Sequence, residues 1–153
     1  MSFLITKPNL CSIYFRTDIN ASNIHSNELV YEESRTTGGM IRKIESPEEK
    51  LRAFFEVVRS CSTEAEHLTV YIGGDVGDLL CLLEADIGLV TGSSRSLRRL
   101  GRHFGVKFVP LFGGLLQKQK EAAADSTEGW KPRSGILYTA SSWAEIEAFV
   151  LGY

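Results

Sequence analysis

The chain has 153 residues, of which 43% are hydrophobic and 24% are charged, and its net charge is about −2. This length suits one domain with a hydrophobic core, and the small net charge gives no reason to expect that the whole surface binds nucleic acid or an anionic membrane. No apolar run reaches the roughly 20 residues that span a bilayer. The three cysteines, Cys11, Cys61 and Cys81, are scattered and odd in number, which favours reduced thiols over a disulfide framework. We therefore expect a cytoplasmic or mitochondrial protein with no membrane or nucleic-acid partner.

The first secondary-structure elements that the sequence predicts are a strand pair and a helix. Residues 28–44 combine the β-prone run ELVYEES with RTTGGMIRKI, whose Gly-Gly pair we take as the turn of a hairpin. In the next segment, SPEEKLRAFFEVVRS, Ser46 is a good N-cap, Pro47 occupies the first helical position and Glu49 closes a capping box. Apolar residues then follow at the spacing of one helical face: Leu51, Phe54, Phe55 and Val58.

Strands and helices alternate over the rest of the chain. Strands are predicted at HLTVYI, IGLV, VKFVPLF and GILYTA, and helices at DLLCLLEA, SRSLRRLGRHFG and SSWAEIEAFVLGY. Gly105 is a stop signal for the second of these helices, and Ser142 with Glu145 forms a second capping box at the start of the third. Such alternation predicts right-handed βαβ units and a parallel sheet that helices cover on both faces.

The glycine-rich turn in YIGGDVGDLL carries the candidate functional residues. Gly73, Gly74 and Gly77 permit tight backbone conformations, and Asp75 and Asp78 place two carboxylates within one turn. Ligands bind at the carboxyl ends of strands in open α/β sheets, and paired carboxylates with water and a phosphate oxygen suit Mg²⁺. A helix start requires similar residues, with Asp78 as its cap and Asp75 as a solvated turn residue. The spacing alone leaves both alternatives open.

A cluster of basic residues occupies the helix SRSLRRLGRHFG and the strand after it. Its members are Arg95, Arg98, Arg99, Arg102, His103 and Lys107. Clustered cations attract phosphates, so this helix is a candidate anion surface, and an ordinary solvated helix face is the alternative. The cluster contains one aromatic residue, Phe104, which is too few for stacking on nucleic-acid bases.

The stretch YIGGDVGDLLCLLEADIGLV, together with SPEEKLRAF upstream, resembles the haloacid dehalogenase (HAD) phosphatase superfamily, in which an acidic turn Gly-Asp-x-x-x-Asp follows a strand. With NIHSNELVYEES, GSSRSLRRLGRHFGVKFVPLF and SGILYTASSWAEIEAFVLG, the chain is similar to the HAD-like C-terminal domain of plant bifunctional proteins that fuse a TenA-like aminopyrimidine hydrolase to a thiamin monophosphate phosphatase. The resemblance covers residues 24–153 and leaves residues 1–23 as a poorly matched N-terminal segment. It implies an α/β, HAD-like (Rossmannoid) fold, with a parallel sheet, flanking helices and an N-terminal hairpin, that lacks the family's first strand.

The resemblance also implies roles for individual residues in a magnesium-dependent hydrolysis of a phosphate monoester similar to thiamin monophosphate. Lys50 corresponds to the lysine that neutralises the nucleophile and the transferring phosphoryl group. Asp78 and Asp75 would hold the magnesium ion, while Gly74 and Gly77 would approach the substrate.

Two departures from the family pattern bear on activity. Counted back from Asp78, the family's leading aspartate falls on Gly74, so the carboxylate of Asp75 is displaced by one position. The family attacks phosphorus with the first aspartate of an Asp-x-Asp motif, and no two aspartates of this chain stand two residues apart: Asp18, Asp75, Asp78, Asp86 and Asp125. Covalent catalysis requires that nucleophile, so we expect impaired activity and a pairing with an N-terminal region that carries it. The alternative is a non-catalytic HAD-like module that binds a phosphorylated ligand or a partner protein.

Overall fold

The computed structural model describes residues 27–33, 35–42, 44–60, 68–113 and 135–151. The chain divides into two compact units, Met1–Ala65 and Glu66–Tyr153, and each is described by itself. None of the described helices is long and apolar enough to cross a membrane.

The first unit contains the predicted antiparallel hairpin, formed by β1 (Glu28–Glu32) and β2 (Arg35–Ile41). The predicted Gly-Gly turn is wrong, because the chain reverses at Glu33, whose φ is 46°. The two glycines lie inside β2 instead, where residues 37–39 bulge opposite Val30 and Gly38 has a φ of 79°. Glycine reaches this left-handed conformation without a steric cost, so it serves the bulge as well as it would serve a turn.

Helix α1 (Pro47–Ser60) begins with the predicted capping box. The Glu49 amide donates to Ser46 Oγ over 3.1 Å, and the Ser46 amide donates to Glu49 Oε2 over 3.2 Å. Of the predicted apolar face, Phe54 is buried, but Phe55 is 37% exposed. The two residues are adjacent and therefore point about 100° apart around the helix, and Phe55 lies at the exposed margin of the face on which Phe54 is buried and Leu51 and Val58 are half-buried.

The second unit is a parallel α/β sheet, as the alternation of elements predicted. Its four strands pair in the order β3-β4-β6-β5 with every pair parallel. The strands are β3 (Val70–Gly73), β4 (Ile87–Thr91), β5 (Lys107–Pro110) and β6 (Ile136–Ala140). The helices are α2 (Leu79–Glu84), α3 (Arg95–His103) and α4 (Trp143–Leu151). The strand predicted at VKFVPLF is shorter than expected, since it ends at Pro110 and residues 111–113 are helical.

Helices lie on both faces of this sheet. On one face, a Cβ at Gly88 would collide with the Leu82 carbonyl of α2, and a Cβ at Gly101 of α3 would lie 2.7 Å from the Phe108 ring of β5. Successive strand residues point to opposite faces, so the neighbours of Gly88 and Phe108 form the core on the other face, together with Ile146 of α4. That core is Ile87, Leu89, Leu111, Tyr138, Ala140 and Ile146, with Val109 packed against it.

Candidate functional site at the acidic turn

The acidic turn, residues 73–78, joins β3 to α2 at the carboxyl end of β3. Asp75 is the N-cap of a single 3₁₀ turn (Val76–Asp78), and its Oδ1 accepts from the Val76 amide over 2.7 Å. The carboxylate of Asp78 reaches back to the start of the turn, where Oδ2 accepts from the Gly74 amide over 3.0 Å and from the Asp75 amide over 2.9 Å. The two aspartates therefore form a reciprocal capping box that holds the turn closed.

Asp78 is buried, with 9% of its surface exposed. Its Oδ1 accepts from the Tyr71 hydroxyl over 3.2 Å, so at least three donors face the roughly four lone-pair directions of the carboxylate. Burial, and after it the charge of Asp78, raises the pKa of Tyr71 well above its ordinary value of 10.0. The hydroxyl consequently stays protonated and donating at physiological pH, and Asp78 acts as an inward-facing acceptor.

Gly73 and Gly74 are fixed by close packing. A Cβ at Gly73 would lie 2.7 Å from Asp78 Cβ, and a Cβ at Gly74 would lie 2.7 Å from the Thr91 carbonyl oxygen at the end of β4. A side chain at either position would force the turn or the end of β4 to shift. Gly74, which stands where the HAD superfamily has its leading aspartate, is thus packed against the backbone of β4. The substrate contacts predicted for Gly74 and Gly77 stay predictions.

The two aspartates are a poor fit for a magnesium ion. Mg²⁺ demands near-octahedral oxygen ligands, usually one or two carboxylates with waters and substrate phosphate. The carboxylate of Asp78 already accepts from two turn amides and from the Tyr71 hydroxyl, and Asp75 Oδ1 accepts from the Val76 amide. Within the described ranges, no group of three or more His, Cys, Asp or Glu residues is placed to hold a metal ion. The magnesium role of both aspartates remains a prediction that this geometry does not favour.

The other predicted residues lie elsewhere in the fold. Lys50 is in the first turn of α1, in the first compact unit, where its amide donates to the Ser46 carbonyl over 3.1 Å, and its predicted role at the phosphoryl group stays a prediction. Asp86 is committed to structure, because its Oδ2 accepts from the Thr69 amide over 2.7 Å and from the Thr69 hydroxyl over 2.6 Å. Asp18 and Asp125 lie outside the described residues.

Two residues that shape the turn, Tyr71 and Thr91, were not predicted from the sequence. Tyr71 supplies the third donor to Asp78, and Thr91 supplies the backbone oxygen against which Gly74 packs. The only local signal for Tyr71 was a residue with a hydroxyl inside an otherwise apolar strand, since a buried hydroxyl needs a partner. Thr91 carried no signal, because its contact arises only when β3 and β4 pair.

The chain is similar to part of a plant protein. It is 53% identical over 139 residues to the mitochondrial bifunctional TH2 protein of Arabidopsis thaliana, and this match covers 88% of the chain and 22% of that protein. The chain therefore spans about a fifth of its relative's length. No protein-family profile and no solved structure matches the chain. The predicted resemblance to a plant bifunctional protein is confirmed, while the HAD-like nature of the matched part remains a prediction.

Proposed function

We propose that this chain is the C-terminal part of a HAD-like phosphatase domain that serves thiamin metabolism and binds a phosphate monoester similar to thiamin monophosphate. The observation that carries this proposal is the 53% identity over 139 residues to the bifunctional TH2 protein. The position of the acidic turn supports it, because open α/β sheets bind ligands at the carboxyl ends of their strands. We propose a mitochondrial or cytoplasmic location, in keeping with the mitochondrial relative.

We propose further that the 153-residue chain binds this ester without hydrolysing it. The sequence contains no Asp-x-Asp motif, and a phosphoaspartate cannot form without the attacking carboxylate. Gly74 stands where the family has its leading aspartate, and the carboxylate of Asp78 is used to close the turn. The chain therefore lacks the attacking carboxylate, and its aspartates fit a metal ion poorly. Both groups would be needed for the same step, the transfer of the phosphoryl group.

The sheet order supports one route to a complete site. β3 lies at an edge of the described four-stranded sheet. A strand that paired in parallel with that edge would end beside residues 73–78, because the carboxyl ends of neighbouring parallel strands lie at the same edge of a sheet. We propose that the nucleophile of an active domain is carried on such a strand, in a polypeptide region outside this chain.

A non-catalytic module is the second candidate, and the capping box favours it. Asp75 and Asp78 satisfy each other's turn amides, so the turn is stable without a metal ion or a substrate. In this case the chain would bind a phosphorylated ligand or a partner protein and would stay inactive even when joined to a strand that carries Asp-x-Asp. Phosphate release by a longer polypeptide that contains such a strand separates the two candidates.

Isothermal titration of thiamin monophosphate into the purified chain tests the ligand. We expect saturable heat with thiamin monophosphate and much weaker heat with thiamin, which lacks the phosphate. Adding Mg²⁺ is expected to change the affinity little, since the aspartates fit the ion poorly. Equal binding of the two ligands, or no binding of either, would contradict the proposed substrate class.

A further inference from the structure

A groove of about 360 Å³ runs along α3 in the second unit. Four residues of α3 line it, Ser96, Arg99, Leu100 and His103. They are spaced three and four residues apart and therefore share one face of the helix. Val76, in the 3₁₀ turn, lines the groove from the other side.

The groove combines an apolar floor with a cationic rim. Its lining is chiefly apolar, and Val76 and Leu100 are half-buried, whereas Arg99 and His103 are exposed. Helix α3 contains four arginines and no acidic residue. Asp75, which precedes Val76 in the chain, has its carboxylate on the Val76 amide.

The arginines of α3 differ in what they contact. The Arg98 guanidinium lies 5.6 Å from the centre of the Phe108 ring and is held against β5. For Arg95, Arg99 and Arg102, no ion pair is formed within the part of the chain that the structure describes. Arg99 is therefore an exposed cation that forms no ion pair with the described residues, and it lies at the rim of an apolar groove. An anion with an apolar body matches both features.

We propose that this groove binds a small organic anion. An apolar ring would lie between Val76 and Leu100, and a phosphate or carboxylate group would pair with Arg99 and His103. The volume falls near the lower end of the roughly 300–1,000 Å³ that small-molecule sites span, and such sites are mostly apolar with a few polar groups that fix orientation. The proposal goes beyond the proposed function, because it uses neither carboxylate of the acidic turn and stands whether or not thiamin monophosphate binds there.

Amide chemical shifts of the ¹⁵N-labelled 153-residue chain, titrated with phenyl phosphate, test the proposal. We expect saturable shifts centred on Val76, Arg99, Leu100 and His103. Inorganic phosphate, which lacks the ring, and benzyl alcohol, which lacks the charge, are expected to bind much more weakly. A parallel titration with benzoate shows whether the groove prefers a phosphate or a carboxylate.

Two matched variants on the same helix distinguish specific binding in the groove from general attraction by the positive charge of α3. Arg99→Gln is expected to weaken phenyl phosphate binding about three- to fivefold. Arg102→Gln removes the same charge from an exposed position outside the groove lining and is expected to leave the affinity unchanged. Both residues are exposed, so neither variant endangers the fold.

Three results would overturn the proposal. One is equal weakening by the two variants, which would indicate attraction by the helix as a whole. Another is a lack of saturable shifts in the groove. The third is broadening of the groove amides that grows with protein concentration in the absence of ligand, which would assign the groove to a second copy of the chain.

Discussion

The Asp75 amide donates to the carboxylate of Asp78 over 2.9 Å, while the carboxylate of Asp75 caps the 3₁₀ turn that ends at Asp78. The two residues that looked like a metal pair are thus each other's structural partners. The roles also differ from the simple helix-start alternative, since Asp75 is the residue that caps and Asp78 makes no side-chain cap bond to α2. The two aspartates therefore have a structural role in the turn that requires no metal ion.

Replacing Asp78 should open the turn. In Asp78→Asn the buried side chain presents an NH₂ group to donors that previously faced a carboxylate oxygen, so we expect a loss of about 2 kcal/mol in the free energy of unfolding. Asp75→Asn is the matched control, because Asn caps as well as Asp and this residue is exposed; its expected loss is below about 0.5 kcal/mol. Urea unfolding at neutral pH measures both, and equal losses would contradict the reciprocal capping box.

Placing an aspartate at position 74, where the HAD superfamily has its leading one, should not create a metal site. In Gly74→Asp the new Cβ would lie 2.7 Å from the Thr91 carbonyl oxygen, so we expect a destabilisation of about 1–3 kcal/mol. Magnesium titration of this variant, followed by calorimetry, is expected to show no binding. Gly113→Ala is the control, because a Cβ there comes no closer than 3.8 Å to Pro110. Tight Mg²⁺ binding by a stable Gly74→Asp protein would contradict this prediction, because the backbone of β4 at Thr91 would then have shifted at little cost.

The buried Tyr71 hydroxyl should stabilise the fold in a pH-dependent way. Tyr71→Phe removes the donor to Asp78 Oδ1, and we expect a loss of about 1 kcal/mol at neutral pH. The pKa of Tyr71 is raised above its ordinary value of 10.0, so the folded state holds this proton more tightly than the unfolded state. The contribution is therefore complete below pH 10.0 and declines above it. Urea unfolding measures the free energy of unfolding of the wild-type chain and of Tyr71→Phe at neutral and strongly alkaline pH. The difference between the two free energies should be smaller at alkaline pH, and a constant difference would contradict this prediction.

The cap of α4 should weaken in acid. The Ser141 amide, and then the Ser141 hydroxyl, lowers the pKa of Glu145 below its ordinary value of 4.5. The stabilisation is therefore present above pH 4.5 and is lost as the pH falls through the lowered pKa. Because this carboxylate is near the surface, the expected effect is only about 0.5 kcal/mol.

Two variants on α4 isolate this effect. Glu145→Gln should be less stable than the wild-type chain at neutral pH and equal to it in strong acid, by thermal unfolding at the two pH values. Glu147→Gln, on the same helix but outside the capping box, serves as the control and should follow the wild-type chain at both. A similar neutral-pH loss in the two variants would point to the charge of α4 rather than to its cap.

The parts of the fold that follow from local rules could be predicted from the sequence. The box of Ser46 and Glu49 formed as expected, as did the bond from the Glu145 amide to Ser142 Oγ, because both depend on residues three apart. Gly105, which follows α3, has a φ of 78°, in line with its role as a stop signal.

The features that depend on distant residues could not be predicted. The placement of β6 between β4 and β5 has no local signature, and the hairpin turn moved to Glu33 because the glycines serve a bulge against β1. The role of Asp78 depends on Tyr71 across a distance of seven residues in sequence. The packing of Gly74 depends on Thr91 of a neighbouring strand. The chemistry of the turn is therefore set by the sheet rather than by its own spacing.

Phosphate release from thiamin monophosphate by the purified chain, in the presence of Mg²⁺, tests the central claim most directly. The absence of a nucleophile and the closed acidic turn predict no release above the buffer blank from a folded chain that binds the ester. Magnesium-dependent release by the folded chain, retained in Glu147→Gln, would contradict the account, because hydrolysis would then proceed without an Asp-x-Asp motif and with the acidic turn closed by its own aspartates.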